Sequence, residues 1–129
     1  MRTAYDIVKA HYAASDRGDL NAMLEDLAPD AEWVEMAGSL CAGTFVGPAA
    51  VVENVFKVIR SEFDEFAFRL DRLLEAGDDV VAVGGYRGRH RKTGKSFAVR
   101  TVHIWTVRLD RIRRFEQFTD TQLLAEAVR

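Results

Sequence analysis

The chain has 129 residues, 48% of them hydrophobic and 29% charged, enough for one domain with one core and unlike a disordered or fibrous chain. With 18 basic and 20 acidic residues, the formal charge of -2 excludes the basic field that general nucleic-acid binding needs. A single cysteine, Cys41, allows no internal disulfide and fits a reducing compartment. No apolar run is long enough to span a bilayer, and "MRTAYDIVKAHY" lacks the apolar core of a signal peptide, so a cytoplasmic protein away from the membrane is expected.

In chain order, Thr3 followed by Asp6 resembles a capping box. Ala4, Ile7, Val8, His11 and Tyr12 then recur at helical spacing, which predicts a helix to about Asp16. Asp19 can cap a second helix with the stripe Leu20, Met23, Leu24 and Leu27, stopped by Pro29. "AEWVEMA" reads as a strand with Ala31, Trp33 and Glu35 on one face, and "LCAGTFV" as a short segment turning back beside it. Pro48 suits the first turn of a third helix, whose apolar stripe is Val51, Val52, Val55, Phe56 and Ile59. After Ser61 the period drops to two. "VVAVGGYRGRH" is a strand, "RKTGK" a hairpin turn, "SFAVRTVHIWTV" the longest strand, and "RLDR" a turn into "IRRFEQFT". Asp120 caps a short tail helix. Helices early and strands late predict an α+β domain spanning residues 1–129, with a curved antiparallel sheet and helices on one face.

This order, with "YAASDRGDLNAMLEDLAPDAEWVE", "FVGPAAV" and "VHIWTVRLDRIRRFEQFTD", resembles the NTF2-like (cystatin-like) superfamily, and within it the SnoaL-like polyketide cyclase and ketosteroid isomerase branch. The resemblance implies a cone in which three helices from the N-terminal half wrap the sheet. It also implies site residues. Glu35 matches the isomerase general base, an Asp in the family. Tyr12 matches the tyrosine that donates to the substrate oxygen. His103 stands where the isomerases carry a protonated Asp, and Gln117 where cyclases tend to carry an acid.

Strand alternation alone puts Phe97, Val99, Thr101, His103, Trp105 and Val107 on one face of the long strand, and Phe115, Gln117 and Thr119 on one face of the last. It leaves open which face is inward. If these faces line one hollow, a hydroxyl, a carboxylate, an imidazole and an amide converge among aromatic side chains, the usual make-up of a small-molecule pocket. Glu35, His103 and Tyr12 are then the catalytic candidates. Trp33, Trp105, Gln117, Phe56 and Phe115 are the candidate substrate contacts. Either Glu35 or His103 can be the base. His11, His90 and His103 have no metal spacing, so neither metal nor cofactor is expected, and "YRGRHRKTGK" reads as a solvated charge run. The expected function is a cofactor-independent isomerase- or cyclase-like enzyme acting on a small hydrophobic carbonyl compound, as a homodimer through the sheet. The alternatives are a non-catalytic binding domain and a dimerisation module.

Overall fold

The computed structural model describes residues 2–129. Helix α1 (Ala4–Asp16) opens with a complete capping box: Thr3 Oγ1 accepts from the Asp6 N–H, and the Asp6 carboxylate accepts from the Thr3 N–H. Helix α2 (Leu20–Leu24) is capped by Asp19, as its spacing suggests. It ends short of Pro29, however. Leu27, expected on its apolar stripe, instead begins β1 (Leu27–Glu35), buried opposite Ile112. The cause is local pairing. The Asp26 carbonyl accepts from the Ile112 N–H at 2.7 Å, which pulls the chain into extended form before the proline. Pro29 then sits where the β1 register shifts, between Leu27 and Glu32.

Strand β2 (Gly43–Val46) turns back antiparallel to β1. Pro48 opens α3 (Pro48–Val51), which passes through a π turn (Val52–Phe56) into α4 (Lys57–Glu62), so the third helix is one continuous piece. Four long strands follow: β3 (Phe63–Ala76), β4 (Asp79–His90), β5 (Ser96–Arg108) and β6 (Arg111–Thr119), with helix α5 (Thr121–Ala127) after them. The spatial order is β2-β1-β6-β5-β4-β3. One expectation fails here. The sheet is mixed rather than antiparallel throughout, because β6 lies parallel to β1. Parallel neighbours need a long crossover, and everything from β2 to β5 supplies it.

The inner face carries the core. Trp105, Phe115, Ile112, Ile7, Val8 and Val55 are almost wholly buried between sheet and helices. Helix α5 is held over one end of the sheet. Thr93 Oγ1, in the β4–β5 turn, donates to the Ala127 carbonyl at 2.6 Å, and Lys95 Nζ donates to the Arg129 carbonyl. The basic run is therefore less free than its charge suggests, since Arg89 and Arg91 also pair with Asp64.

Gly84 shows how tightly β3 and β4 pack. A Cβ there would lie 2.0 Å from the Arg69 carbonyl oxygen and 2.8 Å from the Phe68 ring. The backbone cannot yield by that much without breaking the ladder. Gly84→Ala is expected to cost about 1–3 kcal/mol in urea unfolding, the range for overpacking a close-packed core. Unchanged stability would mean that β3 does not approach as described.

Candidate active site

Glu35 ends β1 on the inner face and is 5% exposed. Its neighbour two residues back shares that face, as a strand requires, and Trp33 Nε1–H donates to Glu35 Oε2 at 2.9 Å. From β6, Gln117 Nε2–H donates to Glu35 Oε1 at 3.2 Å. The orientation of that amide is set by the backbone: Gln117 Oε1 accepts from the Met36 N–H at 3.3 Å, which turns the NH2 toward the carboxylate.

The same NH2 donates to the Tyr86 hydroxyl at 3.0 Å. Tyr86 Oη lies 2.7 Å from His103 Nε2, and His103 Nδ1 lies 2.6 Å from Tyr12 Oη. Trp105 Nε1–H closes the row by donating to Tyr12 Oη at 2.8 Å. A hydrogen-bonded chain thus runs through the core from Trp105 to Trp33, contributed by α1, β1, β4, β5 and β6. Phe68 stacks on both Tyr12 and His103, with ring centroids 5.2 and 4.4 Å away.

Burial decides the protonation states. It pushes the Glu35 carboxyl up to about 7, against the hydrogen bonds from Trp33 and Gln117 that favour the charged form. It drives His103 well below its ordinary value, so the imidazole is neutral, and it lifts Tyr86 far above 10. His11, donating through Nδ1 to the Met23 carbonyl, falls to about 4 for the same reason.

Beside Glu35 is a cavity of about 130 Å³. Its polar wall is Glu35, Gln117 and Tyr86. Its apolar wall comes from Ile59, Phe63 and Phe66, its far side from Leu124 and Val128, and the loop 38–41 closes one edge. Cys41 also lines it, its thiol pushed up to about 12 by burial and by the nearby Glu35. Among the described residues, no lysine, arginine or histidine lines the cavity.

The candidates from the sequence divide on this wall. Glu35 and Gln117 are on it. Tyr12 and His103 join the same network but lie one layer behind, and Trp33, Trp105, Phe56 and Phe115 are also off the wall. The aromatic four are packed on one another. Trp33 stacks on Phe115 at 3.9 Å and meets Phe56 edge-on, while Trp105 leans on Phe115 at 4.7 Å. The hollow extends from the carboxylate to α5, where those rings do not reach. The sequence pattern does not single out the apolar wall of Ile59, Phe63, Phe66, Leu124 and Val128, nor Tyr86, which supplies a hydroxyl-bearing side chain there. The alternation Val80, Ala82, Gly84, Tyr86 is the signal for Tyr86, interrupted by glycines that carry no side chain to mark the face. Among the described residues no cluster of acid, His or Cys side chains could hold a metal ion, and no helix is long and apolar enough to cross a membrane.

The geometry can be set beside known proteins. An uncharacterised protein of Mycobacterium tuberculosis H37Rv is 32% identical over 114 residues, which is 88% of this chain and 86% of that one. The crystal structure of an NTF2-like protein from Burkholderia thailandensis E264 is 53% identical, with a TM-score of 0.98 over 100% of this chain and 99% of that one. TerC, co-crystallised with polyporic acid, is 27% identical with a TM-score of 0.85, covering 98% of each chain. The model of the SnoaL-like domain matches residues 8–115, and the chain belongs to that family, on the NTF2-like fold.

Proposed function

We propose that this chain is an acid–base enzyme, isomerase- or cyclase-like, working without a cofactor on a small hydrophobic carbonyl compound. One observation carries the reading: a carboxylate pushed up to about 7 and bound by only two side-chain donors faces an apolar cavity. A base with that affinity is half ionised at neutral pH and still basic enough to take a weakly acidic proton. Glu35 removes a proton from the carbon beside the carbonyl. The C–H electron pair moves into the carbon–carbon bond and the carbonyl π pair moves to oxygen; with a β,γ-unsaturated ketone the product is a dienolate, and as its oxygen pair re-forms the carbonyl the protonated Glu35 returns its proton to the γ-carbon. Tyr12 and His103 contribute from behind the wall.

The cavity limits the substrate. At about 130 Å³ it is near the roughly 150 Å³ of an apolar cavity that admits benzene, so a single ring fits. The absence of a cation on the wall favours a neutral ligand over an anion. Small-molecule binding is in keeping with TerC, which was co-crystallised with polyporic acid. On the outer sheet face Val81, Val83, Val102 and Ile104 form an apolar patch, bordered on β6 by Arg114 and Glu116. Two copies meeting there would form the proposed homodimer.

In deuterated buffer the protein is expected to exchange the α-hydrogens of a monocyclic ketone such as cyclohexanone. Exchange rises with pH, is half-maximal near pH 7, and drops about tenfold per unit below, because the base must be ionised. Glu35→Gln should lower the rate by about 10³-fold or more while sparing ketone binding. Equal rates in the two proteins would remove Glu35 as the base.

Stability supplies an independent check. Glu35 binds its proton more tightly folded than unfolded, so its stabilising contribution is complete below pH 4.5 and is lost as pH rises through about 7. That difference is worth roughly 3 kcal/mol. Relative to the parent, Glu35→Gln should gain about that much in urea unfolding between pH 4 and pH 8. A difference independent of pH would mean an ordinary carboxyl. Sedimentation should give twice the chain mass, and Ile104→Arg should yield monomers; a monomeric parent would refute the dimer.

A further inference from the structure

The hydrogen bonds around His103 leave one proton without a place inside the chain. The neutral imidazole has one N–H and one lone pair. Both of its neighbours are phenols, and each already accepts a hydrogen bond from a group that can only donate: Tyr12 from the Trp105 indole, Tyr86 from the Gln117 amide. The amide cannot be turned round, because its oxygen is engaged by the Met36 N–H. One phenol therefore gives its proton to the imidazole lone pair. The other accepts the imidazole N–H and keeps a proton that no member of the chain takes up.

The surroundings decide which phenol that is. Tyr12 is 5% exposed, between the face of Phe68 and the edges of His11 and Trp105. A free O–H there would go unpaired in the core, at a full desolvation cost. Tyr86 lines the cavity, which Tyr12 does not reach. Its spare proton can meet a ligand or water.

We infer that His103 carries its proton on Nε2, accepts a hydrogen bond from the Tyr12 hydroxyl at Nδ1, and thereby releases the Tyr86 hydroxyl to donate into the cavity, onto the oxygen of a neutral carbonyl ligand. This rests on the cavity being the reaction site proposed above and deepens that reading. The Gln117 amide touches both Glu35 and Tyr86, so base and donor stand side by side with their spacing set by one planar group. His103 and Tyr12 are then positioning residues. They never meet the ligand, but they fix which way the Tyr86 proton points. When Glu35 takes the α-proton, the enolate oxygen is held by a donor already in place, which requires no reorganisation during the step.

Nitrogen-15 chemical shifts of the His103 ring in the unmodified protein test the proton's position directly. Nε2 is expected to resonate as the N–H nitrogen and Nδ1 as the bare one; the reverse assignment overturns the inference. Binding then tests the donor with cyclohexanone and toluene, which have similar size and differ in the acceptor. Tyr86→Phe should weaken cyclohexanone by about 5- to 15-fold, the worth of one hydrogen bond, and leave toluene unchanged. Equal losses for both, no loss for the ketone, or a parent protein that does not prefer the ketone each overturn it. If Tyr86→Phe fails to fold, the nitrogen shifts of the parent decide. Persistence of α-hydrogen exchange in Glu35→Gln, alongside the expected shifts and binding, supports the Tyr86 donor and removes only the base assignment.

Discussion

The site depends on a carboxylate with fewer partners than it has lone pairs. Glu35 accepts from Trp33 and from Gln117, and its remaining capacity faces a hollow lined mainly by apolar side chains. An ionised carboxylate with a full set of donors would be acidic and inert. One with none would be too costly to bury. Two donors and one open side leave the group poised near neutrality, and that balance is set by packing rather than by a nearby charge.

The aromatic cluster behind the wall makes this balance durable. Trp33, Phe115 and Trp105 stack and tilt against one another, and two of the three also anchor the ends of the polar chain through their indole N–H groups. The rings thus exclude water from the network and hold its terminal hydrogen bonds. A cluster this dense has little room to rearrange around a ligand. Its contribution is rigidity, and the cavity lies beyond it, between the sheet and α5.

Much of the architecture was legible from residue spacing. The capping box at Thr3, the Asp19 and Asp120 caps, Pro48 at the start of the third helix and the hairpin at "RKTGK" all depend on atoms a few residues apart. The end of α2 was misjudged, because Leu27 suits the helical stripe locally and is claimed by β1 through a partner more than eighty residues away. The β1–β6 parallel pairing was likewise out of reach. Nothing in either strand's own pattern says which distant strand will lie beside it. Among site residues, Glu35 and Gln117 could be found by alternation, whereas the distinction between lining a cavity and backing one could not.

From the chain alone came the element order, the sets of residues that share each face of the long strands and the presence of a carboxylate on a tryptophan face, since all three follow from the fixed periods of helix and strand. Tertiary structure decided the rest: that β6 lies beside β1 and brings Gln117 to Glu35, that the hollow lies between Glu35 and α5 rather than among the aromatic rings, and that Tyr86 instead of Tyr12 reaches it. A period tells which side of a strand a residue occupies. How much space is left on that side depends on what the other end of the chain packs against it.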